Sequence, residues 1–463
     1  MNEKISCISP IDGSLYAERE VHSNSAIHLA LKNAKNAQKE WAQLKLKDRS
    51  FFIKEFLGAM LKNKEKFTTE LAWQMGRPVI YGGEFEPFEE RVNYCLEIAQ
   101  TALQPVIPSD VRAGIKRSIK RVPVGVVLVI APWNYPYLTT VNSIIPALLA
   151  GNSVLLKHSN QTLLVGEHFQ QAFEAANFPK HLFQNLFMTH AQTEGLIQTG
   201  EIDHISFTGS VAGGVAIEKA AAGTFATTIF ELGGKDPAYV RADADLNFSV
   251  KNLVEGAFYN SGQCCCGIER IYVDASLYDR FLEAFVAETK KLKLGNPLEK
   301  ESTLGPMANL RFANVVRSQI QEAEAKGAKK LIDPKEYKYQ QENTAFLAPQ
   351  ILVEVDHSMQ VMQEETFGPV VGIMPVKSDA QAIEFMNLSS YGLTASIWTK
   401  DLNEAEKIGD AVDTGTIFLN RCDYLDPGLA WTGTKQTGKG QSLSVLGIQA
   451  YTRPKSYHLR FSY

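Results

Sequence analysis

Three consecutive cysteines, Cys264–Cys266, carry the most reactive side chains of this sequence and follow directly after Gly262 and Gln263. A carboxylate precedes them in the glycine-rich segment Glu231–Lys235. A thiolate attacks carbonyl carbons, and a carboxylate activates the water that later releases the product. The two motifs together predict covalent catalysis on a carbonyl group. Apolar neighbours would raise the pKa of Glu231 and favour a basic role, with a structurally paired glutamate as the alternative.

Asn134 is a candidate for stabilising negative charge on the substrate oxygen. It lies in the run Pro-Trp-Asn-Tyr-Pro at 132–136, directly after a hydrophobic strand, and the two prolines restrict its backbone. Ligands of α/β proteins bind at the carboxyl ends of strands, where a carboxamide N–H can donate to a developing oxyanion. Asparagine is also a common turn residue, so a rigid turn without a catalytic role is the alternative.

Three further segments have features of a nucleotide site. Phe207–Ser210 ends a strand and precedes a helix with Gly214 in its first turn, so backbone N–H groups could meet a phosphate; a tight turn is the alternative. Lys157 also ends a strand and could contact ribose hydroxyls, or it is a solvated charge. Glu364–Pro369 places carboxylates before Phe367, which suits a ribose contact beside a nicotinamide ring, or a solvated loop.

Composition and charge exclude several classes of protein. Six cysteines in 463 residues do not indicate a disulfide framework, and no CxxC spacing of a structural zinc site occurs, so we predict no metal. A net charge of -4 gives no reason to expect nucleic acid or an anionic membrane as a partner. Without a secretory signal or a membrane span, the chain is expected to be cytoplasmic.

Alternating strand and helix patterns predict a mixed α/β fold. Helical spacing dominates the first third of the chain, and beyond it short β-branched runs alternate with helices. Several runs are apolar at successive residues, as in strands covered on both faces, which indicates a doubly wound parallel architecture. The basic segment 113–122 is expected to form a protruding hairpin. The predicted strands are Val124–Ile130, Ser153–Lys157, His204–Thr208, Thr227–Glu231, Arg270–Val273, Val371–Pro375, Ala395–Thr399 and Thr416–Asn420.

Taken together and in this order, the motifs resemble those of the aldehyde dehydrogenase superfamily. The family patterns P-W-N-F/Y-P, F-T-G-S, E-L-G-G-K, G-Q-x-C and E-x-F-G-P correspond to residues 132–136, 207–210, 231–235, 262–265 and 365–369. The resemblance implies two doubly wound α/β domains, one of them Rossmann-like, in a homodimer or homotetramer. The implied parts are an NAD(P)-binding domain (1–104 and 124–233), a catalytic domain (234–435) and a small β oligomerisation element (105–123 and 436–463).

The resemblance also implies roles for single residues. Cys265 would be the nucleophile, Asn134 would hold the oxyanion together with the Cys265 backbone N–H, and Glu231 would activate water. The cofactor, NAD or NADP, would contact Trp133, Lys157, Ser159, Asn160, Gly209, Ser210, Gly214, Leu232, Glu365 and Phe367. The aldehyde pocket would be lined by Tyr135, Leu138, Cys264, Cys266 and Trp431.

Two positions depart from the family pattern. Asn160 stands where many NAD-selective members carry a glutamate that binds the adenine ribose and repels a 2′-phosphate, so use of NADP is expected. Ser442 stands where many members have a carboxylate near the C-terminal end. Thioester hydrolysis would therefore depend on Glu231 alone.

The aromatic and apolar pocket predicts a medium aliphatic or aromatic aldehyde as substrate. Arg421 is the exception, because an inward orientation would favour a semialdehyde such as succinate semialdehyde. Three other functions stay open. They are an acylating CoA-dependent dehydrogenase, against which Glu231 argues, a catalytically silent member of the fold, and a cysteine hydrolase without a nucleotide site.

Overall fold

Two large sheets organise the chain in the computed structural model, which describes residues 3–462. Strands and helices alternate through most of it, as the sequence predicts for a doubly wound α/β fold. The strands are β1 (Lys4–Ile8), β2 (Leu15–Glu20), β3 (Ile115–Pro123), β4 (Val126–Ile130), β5 (Ser153–Lys157), β6 (Phe183–Asn185), β7 (His204–Thr208), β8 (Thr227–Glu231), β9 (Asp236–Val240), β10 (Ile268–Asp274), β11 (Lys329–Lys330), β12 (Gln350–Val353), β13 (Val370–Val376), β14 (Tyr391–Gly392), β15 (Thr394–Trp398), β16 (Thr416–Leu419), β17 (Thr434–Lys435), β18 (Gly438–Lys439) and β19 (Thr452–Arg460).

The helices are mostly amphipathic and cover the sheets. The first one shows why the local sequence forms a helix, since Ser23 caps its N-terminus and its buried residues recur at helical spacing. The helices are α1 (Asn24–Trp41), α2 (Leu46–Lys62), α3 (Lys64–Met75), α4 (Phe85–Ala102), α5 (Pro136–Ala150), α6 (Leu163–Ala175), α7 (His190–Gln198), α8 (Val211–Ala221), α9 (Leu246–Phe258), α10 (Tyr278–Thr289), α11 (Leu310–Ala325), α12 (Gln360–Gln363), α13 (Asp379–Asn387), α14 (Leu402–Ala411) and α15 (Ser444–Ala450).

The first sheet has the order β18-β8-β7-β4-β5-β6, and only β18 runs antiparallel to its neighbour. Its central strands are buried on both faces. In β4, Val127 and Val129 pack into one apolar cluster, whereas Leu128 and Ile130 pack into another on the opposite face. Burial on both faces explains why successive residues of this strand are apolar.

The second sheet has the order β11-β12-β13-β10-β9-β15-β16, with β11 as the only antiparallel strand. Its interior strand β9 was not predicted from the sequence, and it contains Pro237, a residue that is rare in interior strands. The β10 register shifts between Ile268 and Arg270, and Arg270 lies opposite Pro237. This irregularity allows a residue without an N–H into the ladder. The sequence patterns also missed β6 and β12.

The carboxyl ends of the first sheet's strands carry most of the polar residues singled out in the sequence. β5 ends at Lys157, β7 at Thr208 and β8 at Glu231, while Asn134 follows β4. Residues 232–235 then connect β8 to β9 of the second sheet. The division into three parts stays a prediction, although the change of sheet falls at its 233/234 boundary.

The expectation of a hairpin at 113–122 requires correction. This segment belongs to the long strand β3, whose partner is β19 near the C-terminus, paired antiparallel from Ile115 with Arg460 to Pro123 with Thr452. Two isolated antiparallel bridges, Val106 with Ile119 and Arg112 with Ile115, contact its other edge, so only a short irregular hairpin forms around the turn at 113–114. The local pattern could not identify β19 as the partner because the two strands lie far apart in the chain, whereas the family resemblance had grouped 105–123 and 436–463 in one β element. Among residues 3–462, no helix is long and apolar enough to cross a membrane.

Candidate active site

Cys265 lies in the turn between a short 3-10 helix, Tyr259–Gly262, and β10. The backbone before it is tightly constrained, because Gly262 adopts a left-handed φ of 69°. A Cβ atom at this glycine would lie 2.2 Å from the carbonyl oxygen of Gly368. The turn therefore requires glycine at this position. The close approach also fixes the cysteine turn against the loop at residues 364–369.

The neighbouring cysteines create a polar surrounding for the Cys265 sulfur. Cys264 and Cys266 are buried, Cys265 is half-buried, and the outer two sulfurs are 3.5 Å apart. Hydrogen bonds from the thiols of Cys264 and Cys266 lower the pKa of Cys265 to about 6. Such a thiol is largely ionised at neutral pH, and the thiolate is the nucleophilic form.

Asp423, which the sequence patterns did not identify, lies beside the outer two cysteines. Its Oδ1 atom is 3.0 Å from the Cys264 sulfur and 3.1 Å from the Cys266 sulfur. Burial raises the pKa of this carboxyl well above its ordinary value. No local signal marks Asp423 because it lies in an irregular loop far along the chain.

Asn134 is held beside the cysteine turn by a buried polar network. Its Nδ2 atom donates to the Gln263 carbonyl oxygen at 3.3 Å. Its own carbonyl oxygen accepts from Nδ2 of Asn260 at 3.2 Å and from the guanidinium of Arg77. Arg77 in turn forms a buried ion pair with Glu84 at 2.5 Å. These contacts fix the carboxamide at the turn that carries Cys265.

Glu231 ends β8 with two hydroxyl groups at its carboxylate. Ser442 Oγ donates to Oε1, and Thr208 Oγ1 donates to Oε2 at 3.4 Å. Burial raises the pKa of Glu231, while the hydrogen bond from Ser442 acts in the opposite direction. A carboxylate with a raised pKa is a stronger base than an exposed one. Ser442, which stands where many family members have a carboxylate, therefore contacts Glu231, the candidate base, directly.

One cavity of about 610 Å³ joins Cys265, Asn134 and Glu231. Most of the predicted cofactor residues line it as well, namely Trp133, Lys157, Ser159, Gly209, Ser210, Leu232, Glu365 and Phe367. Asn160 and Gly214 do not. A Cβ atom on Gly214 would lie 2.7 Å from the Leu232 side chain, so this glycine allows close packing of α8 against residue 232. Sequence reasoning missed further lining residues, among them Gln161, His190, Arg311 and Phe312.

The residues of this cavity fit a dinucleotide. Lys157 is buried, forms no ion pair with any of residues 3–462, and donates to the His158 carbonyl oxygen at 3.4 Å. Burial lowers the pKa of this lysine to about 8. Next to Ser159 but outside the cavity lining, the Oδ1 atom of Asn160 is a buried acceptor without a hydrogen-bond partner in the described chain. The Ser210 side chain caps the N-terminus of α8. Ser210 and Gly213 line the cavity, so the free N–H groups of the first turn of α8 lie beside it. The hydroxyl and phosphate groups of a dinucleotide would provide hydrogen-bond partners for Lys157, Asn160 and the N-terminus of α8.

The loop at residues 364–369 contributes Glu365, Thr366 and Phe367 to the wall of the cavity. A buried ion pair between Lys235 and Glu269 anchors it, because Glu269 accepts the backbone N–H of both Thr366 and Phe367 at 2.9 Å. The Trp133 and Phe367 rings meet edge to face with centroids 5.5 Å apart. Burial raises the pKa of Glu365 to about 8, and its Oε1 accepts the Gly234 N–H at 3.1 Å.

Most of the predicted aldehyde-pocket residues lie in one apolar cluster. Tyr135, Cys264, Cys266 and Trp431 belong to it together with Phe418, Leu443, Tyr424 and Leu425. Leu138 instead packs in the large core of the first sheet. Arg421 is exposed, and its guanidinium lies 3.5 Å above the Tyr424 ring centroid. The structure therefore does not bury the arginine that the semialdehyde alternative required.

Comparisons with known proteins agree with this geometry. The sequence model of the Aldehyde dehydrogenase family matches residues 1–457. A succinate-semialdehyde dehydrogenase (NADP(+)) of Deinococcus radiodurans is 29% identical over 450 residues, which cover 97% of this chain and 93% of that protein. A 4,4'-diapolycopene aldehyde oxidase of Methylomonas sp. is 33% identical over 466 residues, which cover 98% of this chain and 85% of that protein. The solved betaine aldehyde dehydrogenase of Staphylococcus aureus, in complex with NAD+, superposes with a TM-score of 0.93 at 27% identity, covering 99% of this chain and 92% of that one.

The chain belongs to the aldehyde dehydrogenase family. It is accordingly an NAD(P)-dependent oxidoreductase that acts on an aldehyde group. The family, the α/β fold class and the cofactor type predicted from the sequence motifs are thereby confirmed.

Proposed function

We propose that the protein oxidises its aldehyde to the carboxylic acid through a covalent intermediate on Cys265. The observation that carries this proposal is the single cavity that joins Cys265, Asn134 and Glu231 with the dinucleotide-type residues. The lowered pKa of Cys265 and the raised pKa of Glu231 suit a nucleophile and a base, respectively.

In the first step, the Cys265 thiolate attacks the aldehyde carbon and forms a thiohemiacetal. The carbonyl oxygen becomes an oxyanion, which accepts hydrogen bonds from Asn134 Nδ2 and from the backbone N–H of Cys265. Each such donor lowers the barrier by about 3 kcal/mol. The hydrogen bond from Asn134 to Gln263 places the carboxamide next to the cysteine turn before substrate binds.

Trp133 and Phe367 would hold an oxidised nicotinamide in this cavity, where it would supply a hydride acceptor, and loss of hydride from the substrate carbon would leave a thioester on Cys265. Glu231 then takes a proton from water, which attacks the thioester carbon. The carbonyl is restored, the carboxylic acid leaves, and Cys265 returns as a thiolate. Ser442 and Thr208 orient the Glu231 carboxylate for this step through their hydroxyl groups.

The cofactor side is assigned on the same basis. Lys157 and Glu365 would hold the two riboses, and Ser210 with the N-terminus of α8 would receive the pyrophosphate. Trp133 and Phe367, which meet edge to face, would shape the nicotinamide site. The substrate pocket predicted from the sequence favours a medium aliphatic or aromatic aldehyde, and the apolar cluster beside Cys265 supports this near the reacting carbon.

The test separates acylation from hydrolysis. Glu231→Gln should still reduce one equivalent of NAD(P) per active site in a rapid burst, and the enzyme mass should rise by the acyl group. Steady-state turnover should fall about 10²- to 10⁴-fold, because the general base is missing. Cys265→Ala should abolish the burst, whereas Cys422→Ala, another half-buried free cysteine, should keep it.

Other outcomes would favour other functions. Faster acyl transfer to added CoA than to water would make the protein an acylating dehydrogenase. Turnover of esters without any nucleotide would indicate a cysteine hydrolase. A burst in Cys265→Ala would refute covalent catalysis by this residue.

A further inference from the structure

Three sulfur atoms lie close together at the cysteine turn. The Sγ atoms of Cys264, Cys265 and Cys266 are all within 4.8 Å of one another, and those of the outer two are 3.5 Å apart. Among residues 3–462, this is the only set of three or more histidine, cysteine, aspartate or glutamate side chains whose ligand atoms come this close. The set therefore has the composition of a site for a metal ion that prefers sulfur.

The distances between the sulfurs fit a small thiophilic cation. Zinc binds thiolate sulfur at about 2.3 Å, so the sulfurs around one zinc ion lie about 3.8 Å apart in a tetrahedral arrangement and about 4.0 Å apart in a trigonal one. The outer pair, at 3.5 Å, would have to separate by only about 0.3–0.5 Å to reach these distances. Small rotations of the cysteine side chains provide such shifts.

Asp423 holds the outer two sulfurs near each other. Its Oδ1 atom lies 3.0 Å from the Cys264 sulfur and 3.1 Å from the Cys266 sulfur. Among residues 3–462, these thiols are the only hydrogen-bond partners of the carboxyl group, and no basic side chain forms an ion pair with it. The nearby guanidinium of Arg421 instead lies over the Tyr424 ring. A bound cation would supply the positive charge that this group of acidic side chains lacks.

One of the three sulfurs belongs to the proposed catalytic machinery. Cys265 lines the cavity of about 610 Å³, whereas Cys264 and Cys266 are buried. The cavity gives an ion a path to the sulfurs and leaves space for water as a further ligand. A Cys265 sulfur that is bound to a metal ion is not available to attack a carbonyl carbon.

We propose that the three sulfurs of Cys264–Cys266 form an inhibitory site for a thiophilic divalent cation of the Zn²⁺ type, with Asp423 as the residue that positions the outer two. Each thiol that binds the ion releases its proton to solvent, and removal of the ion restores the free cysteine. This inference rests on the proposed function, because the ion withdraws the nucleophile of that reaction. It adds reversible control by a metal ion to the same site.

The site differs from the prediction that the chain binds no metal. That prediction rested on the absence of the CxxC spacing of structural zinc sites. Here the group that holds the outer sulfurs together comes from a loop that lies 157 residues after Cys266 in the chain. No local spacing of cysteines could therefore reveal the site.

The first experiment measures binding and inhibition on the wild-type enzyme. Zn²⁺ is supplied from a metal buffer without thiol reductants, which would compete for the ion, and bound Zn²⁺ is determined by equilibrium dialysis without substrate. One equivalent should bind per chain at the concentration that inhibits NAD(P) reduction with hexanal, and EDTA should restore the activity. Mg²⁺ should neither bind nor inhibit at the same concentration, because it prefers oxygen ligands.

Single substitutions distinguish the three-sulfur site from binding to Cys265 alone. In Cys264→Ser and in Cys266→Ser, half-maximal inhibition of each variant's own activity should require at least about tenfold more Zn²⁺, because one thiolate ligand is lost. Cys422→Ser is the matched control, because Cys422 is half-buried next to Asp423 but donates to the Asn252 carbonyl oxygen. This variant should keep the wild-type inhibition.

Cd²⁺ reports the number of sulfur ligands without reference to activity, since each cadmium–thiolate bond adds to a charge-transfer band in the ultraviolet. The wild-type band should lose about a third of its intensity in either serine variant of the site. A wild-type band of a single thiolate would overturn the proposal even if the variants fail to fold.

Other results would also overturn the proposal. They are absence of bound Zn²⁺ in the wild-type enzyme, equal inhibition by Mg²⁺, and unchanged zinc inhibition in both Cys264→Ser and Cys266→Ser. Zinc binding without oxidation of any aldehyde in a wide panel would instead contradict the proposed function.

Discussion

We expect the reactivity of Cys265 to depend on the two cysteines that flank it in the sequence. Cys264 and Cys266 have the same side chain, but both are buried, and their thiols donate to Asp423 Oδ1 at 3.0 and 3.1 Å, respectively. Interaction with these two flanking thiols lowers the pKa of Cys265 to about 6 and so favours the thiolate of the central cysteine. Of the three cysteines, Cys265 alone is among the lining residues of the cavity, which supports its proposed role as the nucleophile.

Cys266→Ala tests this account. Loss of one hydrogen bond to the thiolate should raise the pKa of Cys265, so the midpoint of its alkylation by iodoacetamide should move up by about one pH unit. The rate of alkylation at pH 6 should fall accordingly, because less thiolate is present. Cys7→Ala, a buried cysteine that contacts Gln74 and Gln161 instead, is the control and should leave the profile unchanged. An unchanged midpoint in Cys266→Ala would contradict the account.

Asn160 bears on the choice between NAD and NADP. The residue is neutral, and its Oδ1 atom lacks a partner in the described chain. Asn160→Glu should lower kcat/KM for NADP about tenfold or more relative to NAD, because a carboxylate repels the 2′-phosphate. Steady-state kinetics with both cofactors measure this ratio, with Gln161→Glu next to it as the control for added charge. A strong preference of the wild-type enzyme for NAD would refute the argument from charge.

At the scale of elements, the active site is assembled by a buried ion pair. Arg77 and Glu84 lie in the connection between α3 and α4, and they reach two other elements. Arg77 binds the Asn134 carbonyl oxygen and the Asn260 side chain, while Glu84 accepts the Leu138 N–H at the start of α5 at 2.8 Å. Asn134, the proposed oxyanion donor, and the cysteine turn thus share one anchor.

Arg77→Met should destabilise the fold and the site together. It leaves Glu84 buried without a counter-ion, and the free energy of unfolding should fall by about 3–5 kcal/mol. Urea denaturation followed by tryptophan fluorescence measures the loss. Arg49→Met is the matched control, because Arg49 is a buried arginine that has no ion pair in the described chain and donates only to the Leu44 carbonyl oxygen. A smaller loss for Arg77→Met than for Arg49→Met would contradict the anchor role.

At the scale of the whole molecule, the ribbon formed by β3 and β19 is much more exposed than the central strands of the two large sheets. Its strands pair along nine residues each, yet most of their side chains are exposed or half-buried. Apolar residues at its end include Leu459 and Phe461, the latter 71% exposed. An exposed apolar surface on a paired ribbon is suited to association with a second copy of the chain. The predicted dimer or tetramer would use this surface.

Phe461→Glu tests the assignment. A charge in a subunit interface is unfavourable, so the oligomer should dissociate to a smaller species, measured by light scattering after size-exclusion chromatography. Phe225→Glu is the control, because Phe225 is 97% exposed and lies outside the ribbon. Dissociation by Phe225→Glu alone would place the interface elsewhere. A wild-type protein that is monomeric would refute the predicted oligomer.

The local sequence determined much of this protein. Strand limits such as Ser153–Lys157 and His204–Thr208 agree with the structure to the residue, because buried parallel strands are apolar at successive positions between turns. The glycine and proline motifs marked the turns that carry Asn134, Glu231 and Cys265, since these residues restrict or permit special backbone angles.

Tertiary structure alone decided which distant residues share the site. Asp423 contacts Cys264 and Cys266 although it lies in a loop without a recognisable pattern, and the contact of Ser442 with Glu231 is evident only in the fold. The register of β3 against β19 is likewise defined only in the fold, although the family resemblance had grouped their segments. The physical reason is that hydrophobic periodicity specifies local elements, whereas burial, charge pairing and pKa values depend on the neighbours that folding brings together from distant parts of the chain.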